Sequence, residues 1–329
     1  MGKHRTVAVF AAGHFLVDLA CAFAMLRWVR PSGSWTEAVL LYDFFAFAGQ
    51  MPLGLMSDRF GNGRGFAGAG CLLVSAAYLL PGAPMALAVI SGLGNALYHI
   101  GGGRDVLALS EGKAGPLGVF VSPGALGLFL GAALGRGRAP AFLPPVLLLG
   151  AAAAVWLLCG KSAPKSVSLE LSGAGLPALT ALFLVVVLRS LTGFLLVFPW
   201  KTGGWAWVFV LCVAMGKALG GRASDRLGVR TAALASLGLA AALFLLSGSP
   251  VCGCAAVLLF NMTMPVTLRG AADLLPGAEG FSFGLLTFAL FLGFLPAYLD
   301  LPLPGGPWVY AGACLLSLAL LLPALGKRP

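Results

Sequence analysis

The residues able to do chemistry are few and lie in apolar surroundings. His14 and Asp18, in Gly13-His14-Phe15-x-x-Asp18, are four apart, which on a helix puts both side chains on one face. An imidazole beside a carboxylate in a poorly solvated place can titrate near neutrality, the chemistry that proton coupling needs. The bland reading of the same pair is a structural pin between helices. Asn95 and His99 repeat the spacing and are followed by Gly101-Gly102-Gly103-Arg104-Asp105. Those glycines would let a helix end or bend and offer backbone groups to a ligand. Close helix packing, with Arg104 and Asp105 as a surface pair, is the alternative. Asp43 and Gln50, seven apart, share a helix face; Asp43 reads equally as a solvated gate residue. Arg189 sits in the middle of an apolar run. It cannot readily discharge, so it requires an acidic partner or an anionic substrate. Asn261, in Phe260-Asn261-Met262-Thr263-Met264-Pro265, marks an adaptable, bendable stretch. Lys217 lies near a span end, where its head group can snorkel to the interface.

The background explains why these residues stand out. Of 329 residues, 59% are hydrophobic and 10% charged, with mean hydropathy +0.96. Soluble domains carry about 25% charged residues, so a soluble enzyme, a disordered chain and a nucleic-acid binder are excluded. The net charge of +10 is spread among apolar runs and makes no dense basic face. A transmembrane helix needs about 20 apolar residues, and twelve such stretches are present. They fall near 6–27, 36–56, 65–81, 84–102, 115–134, 141–160, 175–198, 204–221, 231–248, 251–268, 280–298 and 307–325. The runs are continuous and not alternating, which predicts helices, not a barrel. The first stretch is interrupted by His14 and Asp18 and is too long for a signal sequence, so it reads as a retained helix.

Basic residues divide unevenly between alternate loops. Lys3, Arg5, Arg59, Arg64, Arg104, Lys113, Lys161, Lys165, Arg222, Arg226, Arg230, Arg269, Lys327 and Arg328 fall on one side, and Arg27, Arg30, Arg136, Arg138 and Lys201 on the other. The richer side is expected to be cytoplasmic, with both termini there. Trp28, Trp35, Trp200, Trp205, Trp207 and Trp308 collect at the opposite ends, as an interfacial belt would. Seven scattered cysteines lack zinc or redox spacing and read as buried packers. Asp273, Glu279 and Asp300 fall in expected loops. No metal, cofactor or catalytic set is expected. Neither His-Glu-x-x-His nor Gly-x-Ser-x-Gly occurs, nor does an ATP-binding Gly-x-x-x-x-Gly-Lys-Ser/Thr loop.

An internal repeat organises the chain. Gly54-x-x-x-Asp58-Arg59-x-Gly61-x-x-Arg64 recurs as Gly221-x-x-x-Asp225-Arg226-x-Gly228-x-Arg230, 167 residues later. Each copy follows the second helix of its own set of six, in an expected tight turn. There its Asp could cap a helix and pair with Arg, latching one conformation. The domains expected are a six-helix half at 1–160, a short linker at 161–174 and a second half at 175–329, in parallel repeat. The two loops resemble the signature of the major facilitator superfamily. Gly13-His14-Phe15-x-x-Asp18, Gln50-x-Pro52-x-Gly54-x-x-x-Asp58 and Gly94-Asn95-Ala96-x-Tyr98-His99 are similar to the fosmidomycin-resistance type within it. The linker departs from the pattern in being little more than a tether. The resemblance implies a secondary transporter for a small organic solute or drug, and the type favours efflux. Taken with Arg189 and the His14–Asp18 pair, the expectation is a monomeric, proton-coupled carrier of an anionic or zwitterionic solute in the lipid bilayer. A non-transporting receptor or scaffold, or an intramembrane enzyme using His14, Asp18 and His99, is the alternative.

Overall fold

The computed structural model describes residues 2–326 except 165, 168 and 172; Lys165, Lys327 and Arg328, assigned above to the basic side, lie outside the described residues. Among them there is no strand, and twelve helical rods follow the order of the expected spans. These are α1 (Lys3–Ser32), α2 (Trp35–Phe60), α3 (Gly63–Ala77), α4 (Pro84–Leu109), α5 (Gly115–Arg136) and α6 (Leu143–Leu158). After the linker come α7 (Gly175–Leu195), α8 (Gly203–Leu227), α9 (Val229–Leu245), α10 (Pro250–Leu274), α11 (Glu279–Tyr298) and α12 (Pro307–Ala324). Eight of them are long and apolar enough to cross a membrane by length and composition. α6 and α9 are shorter apolar helices.

Several helices outrun their apolar stretch. α4 does not end at Gly101–Gly103 but continues to Leu109. Its glycines are packing positions: Gly101 lies against the Gly63 carbonyl, and a methyl on Gly103 would meet the Phe283 ring at 2.7 Å. α2 runs on to Phe60 and α8 to Leu227, so the two Asp-Arg motifs occupy last helical turns, not free loops. Asp273 and Glu279 likewise lie on helices, at the end of α10 and the start of α11. The physical reason is common to all. Backbone hydrogen bonding continues past the apolar segment wherever neighbouring helices keep the turn packed.

Prolines set the interruptions. α5 breaks at Ser122–Pro123 and restarts at Gly124. α10 breaks at Met262–Thr263 and restarts at Met264, with Pro265 in the new first turn. Proline has no N–H to give the preceding turn, so it fits a first turn and not an interior. α2 contains a π-helical stretch, Phe44–Ala48, one turn before Pro52. Pro52 cannot donate to the Ala48 carbonyl, which frees that turn to widen.

Contacts divide the chain into two compact units. Unit 1 comprises Met1–Leu109, Pro123–Ser168 and Pro276–Phe288; unit 2 comprises Ser110–Ser122, Leu169–Leu275 and Ala289–Pro329. In unit 1 the second part of α5 lies directly on α1 through Gly127, Gly131 and Gly135, which face the carbonyls of Phe15, Leu19 and Phe23. Small residues at four-residue spacing let two backbones approach where lipid supplies no hydrophobic drive. A methyl at position 131 would fall on the Leu19 backbone, which has no side-chain freedom to yield. Gly131→Ala is therefore expected to cost about 1–3 kcal/mol as overpacking, read as a lower thermal midpoint of the detergent-solubilised protein. An unchanged midpoint would mean the α1–α5 approach is looser than described.

Candidate functional site: a buried histidine–aspartate cluster and two aspartate caps

The α1 pair and the α4 pair meet in unit 1. His14, Asp18, Asn95 and His99 are all buried, none above 8% exposed. Asp18 Oδ2 lies 3.2 Å from His14 Nε2, and its Oδ1 accepts from Asn95 Nδ2 at 3.0 Å and lies 3.6 Å from His99 Nε2. The two rings stand edge to face with centroids 4.3 Å apart, and their Nε2 atoms are 2.9 Å apart. The proton inventory follows from chemistry. His99 Nδ1 is 2.9 Å from the Asn95 carbonyl, which can only accept, so Nδ1 carries the hydrogen. A neutral His99 then presents its Nε2 lone pair, and His14 Nε2–H donates to it. One proton is thus contested by an imidazole and a carboxylate.

The surroundings hold the cluster in place. α5 restarts at Gly124 directly against it, where any side chain would fall on His14 Nε2 and lie 2.5 Å from Asp18 Oδ2. A helix start brings partial positive charge towards Asp18. Tyr98 donates to the Phe10 carbonyl at 2.8 Å and fills the space beside Gly13. Cys21 Sγ lies 3.8 Å from Asn95 Nδ2. Among the described residues, His14, Asp18 and His99 also bring three ligand-type atoms within 4.8 Å of one another, a convergence no local spacing revealed. The 2.9 Å nitrogen–nitrogen contact is a hydrogen-bond distance, and a shared proton accounts for it.

The two repeated motifs act as helix caps. Asp58, fully buried on the last turn of α2, accepts from the backbone N–H groups of Gly280 and Phe281 at the start of α11, both at 2.9 Å. Asp225, on the last turn of α8, accepts from Ala114 and Gly115 at the start of α5, at 2.7 and 2.8 Å. Under the repeat these are the same contact made twice. Gly54 and Gly221 permit it, since a side chain on either would strike the carbonyl of Gly280 or Ala114 respectively. The arginine pairing expected within the motif does not form: Arg59, Arg226 and Arg230 are exposed. Asp58 instead meets Arg104, whose Nε donates to Oδ1 at 3.3 Å. Arg104 is completely buried, not half of a surface pair. It also donates to Asp105 at 2.9 Å, to Ser162 Oγ and to the Ala163 carbonyl at 2.7 Å. Ser162 in turn donates to the Gly61 carbonyl, Gly61 being left-handed at φ +64. Arg64 closes the end of α6 by donating to the carbonyls of Trp156 and Cys159 at 3.0 and 3.1 Å. Gly228 takes φ +84 between α8 and α9, a conformation in which a side chain is strained.

The remaining candidates separate. Arg189 is buried on α7, and both terminal nitrogens lie 3.4 Å from Thr267 Oγ1 on α10. Gln50 is buried with its amide donating to the Ala46 carbonyl at 2.5 Å, and Asp43 is buried beside the π-helical stretch, not solvent-facing. Asn261 spends its amide on the Val257 carbonyl of its own helix at 2.9 Å. Arg104, Ser162 and Thr267 were not legible as site residues, because their partners lie on other helices or in the linker. For Thr267 the only sequence signal was its place one turn after a helix-breaking Met-Pro.

The chain is a multi-pass, all-helical membrane protein with the major facilitator fold. No protein-family profile matches the chain, and no curated protein sequence does. Solved structures do match. A variant of the E. coli fucose:proton symporter FucP matches with TM-score 0.70 at 13% identity, over 100% of both chains. FucP in its outward conformation gives 0.66 at 14%, over 97% of each. The human organic anion transporter MFSD10 gives 0.70 at 20%, over 98% of this chain and 100% of that one.

Proposed function

We propose that the chain is a secondary active transporter that carries a small organic solute, anionic or zwitterionic, by alternating access with a proton as coupling ion. The observation that carries this reading is Asp18, a buried carboxylate sharing one proton's worth of hydrogen bonding with His14 and His99 inside a membrane fold. Ionisable groups at membrane depth are costly and seldom kept without function. A solute or a pH step that moves this proton has a defined place to act. Asn95 fixes the carboxylate, and Asp43 and Gln50 line the same set of helices as further coupling or binding candidates. Asn261 is carried as a wall of the α10 break. Asp58 and Asp225 serve as the two latches that one conformation makes and the other releases. The moving parts are the halves 1–160 and 175–329, joined by 161–174.

In its finer form the reading is a fosmidomycin-resistance-type exporter in the cytoplasmic membrane, a proton antiporter, monomeric, with both termini inside. The motifs around Asp18, Gln50 and His99 support the type, and the fourteen-to-five division of basic residues supports the orientation. A fucose:proton symporter and an organic anion transporter have a similar fold, which is consistent with this reading. Purified protein in proteoliposomes tests the proposal. Labelled solutes from a broad panel should show counterflow without chemical change. Chemical conversion would favour the intramembrane enzyme, and neither movement nor thermal stabilisation by any solute would remove the transporter reading.

A further inference from the structure

The buried charges Arg104 and Asp18 of unit 1 are answered. Arg104 meets Asp58 and Asp105, and Asp18 meets two imidazoles, an amide and a helix start. Unit 2 contains a buried charge treated differently. Arg189 is 8% exposed, and among the described residues no carboxylate forms an ion pair with it. Its only hydrogen-bond partner there is one oxygen, Thr267 Oγ1, at 3.4 Å from both NH1 and NH2. Thr267 Oγ1 gives its own hydrogen to the Met264 carbonyl at 2.9 Å. One neutral oxygen therefore sits astride the fork of a guanidinium built to hold two charged ones.

The backbone adds a second positive feature at the same place. α10 breaks at Met262–Thr263 and restarts at Met264, so Thr267 lies one turn inside a new helix start. A helix start carries partial positive charge and favours anions, and interrupted helices aim such ends at anionic solutes in other carriers. Here the helix start and the guanidinium have the same sign, so neither neutralises the other. Two further polar groups of these helices are committed elsewhere: Ser190 donates to the Leu290 carbonyl at 2.7 Å, and Asn261 to the Val257 carbonyl.

We infer that Arg189, Thr267 and the start of the second segment of α10 form an oxyanion subsite, which takes a carboxylate or phosphonate-type group and displaces Thr267 from the fork. The subsite deepens the transporter reading by naming the solute's anchoring group, and only its role in transport rests on that reading. A bound oxyanion would supply two oxygens to NH1 and NH2 at the shorter distances of charge-assisted bonds. The Thr267 hydroxyl would be left as a third, neutral contact.

Binding to the purified full-length protein in low-salt buffer, with no gradient present, tests it. Acetate, benzoate and methylphosphonate are compared with the neutral acetamide and benzamide, by thermal stabilisation and titration. The anions should stabilise the protein and the amides should not. Arg189→Lys should weaken anion binding at least about tenfold, since the charge stays while the two-pronged geometry is lost. Thr267→Val, which keeps the shape of the side chain, should change anion affinity several-fold and leave the amides unaffected. Equal stabilisation by acids and amides, or no anion-specific stabilisation at all, would overturn the subsite. So would anion binding untouched in both variants. If Arg189→Lys fails to fold, the wild-type series and Thr267→Val decide alone. Anion binding without counterflow of any solute would sink the transporter reading and leave the subsite standing. Transport of neutral solutes with no anion binding would do the reverse.

Discussion

Asp18→Asn is expected to abolish solute flux driven by a pH gradient while leaving solute exchange without a gradient partly intact. The substitution keeps the side chain's shape and an oxygen for Asn95 Nδ2, which now lies 3.0 Å from Asp18 Oδ1. It removes the one group in the cluster that can be negative. With an amide there, the hydrogen on His14 Nε2 has only His99 Nε2, 2.9 Å away, as a charged-or-neutral switch partner. Loading a proton would then create a buried imidazolium without the Asp18 charge beside it, which is disfavoured. Coupling and exchange separate because exchange needs only that both conformations be reachable with solute bound. Proteoliposomes with an imposed pH step, assayed beside counterflow of the same labelled solute, report both. If driven flux survives, Asp18 is not the coupling group. If exchange is lost as fully as driven flux, its place is in solute binding or folding.

The second large effect is an asymmetry between two motifs that look alike. Asp58→Ala should destabilise the protein by about 3–5 kcal/mol, the range for removing one member of a buried ion pair. Arg104 would remain at 0% exposure with Asp105 as its last carboxylate, and Gly280 and Phe281 would lose their acceptor. Asp225→Ala removes the equivalent cap from an exposed carboxylate with no buried arginine behind it, and the expected loss is much smaller. Thermal unfolding of the two variants in one detergent reads the difference. Arg104→Met combined with Asp58→Ala should cost less than the two single changes added, because the removed groups are partners. Equal losses for Asp58→Ala and Asp225→Ala would mean that Arg104 contributes nothing beyond the cap.

Some of this was readable from residue order because it depends on local periodicity. Twelve apolar runs became twelve helices. His14 with Asp18, and Asn95 with His99, were visible as pairs because four residues make one helical turn. That the pairs meet was not visible, since it depends on α1 packing against α4 some 80 residues away. Arg104 misleads for the same reason: beside Asp105 it reads as a surface pair, and only Asp58, Ser162 and Ala163, brought in from elsewhere, make a buried site for it. The motif arginines Arg59 and Arg226 erred the other way, looking like Asp partners while facing outward. Asn261 shows a limit of composition, because a polar residue in an apolar helix can satisfy itself on its own backbone. The spacing of Gly124, Gly127, Gly131 and Gly135 is a sign of close helix approach that residue order does carry.

The two aspartate caps also bear on how the chain is assembled. Each compact unit borrows a short piece from the other part of the sequence: unit 1 holds Pro276–Phe288 and unit 2 holds Ser110–Ser122. In each case the borrowed piece includes the backbone donors that the resident aspartate accepts. A ribosome that has finished residue 164 has therefore made Asp58 but not its α11 donors, and Ala114 and Gly115 have been made long before Asp225. Neither cap can close until late in synthesis, and a chain severed at the linker would leave one orphaned carboxylate and one pair of orphaned amides on each side of the cut. The two caps that tie distant helices together are in this sense also a checkpoint on the order in which the chain is made.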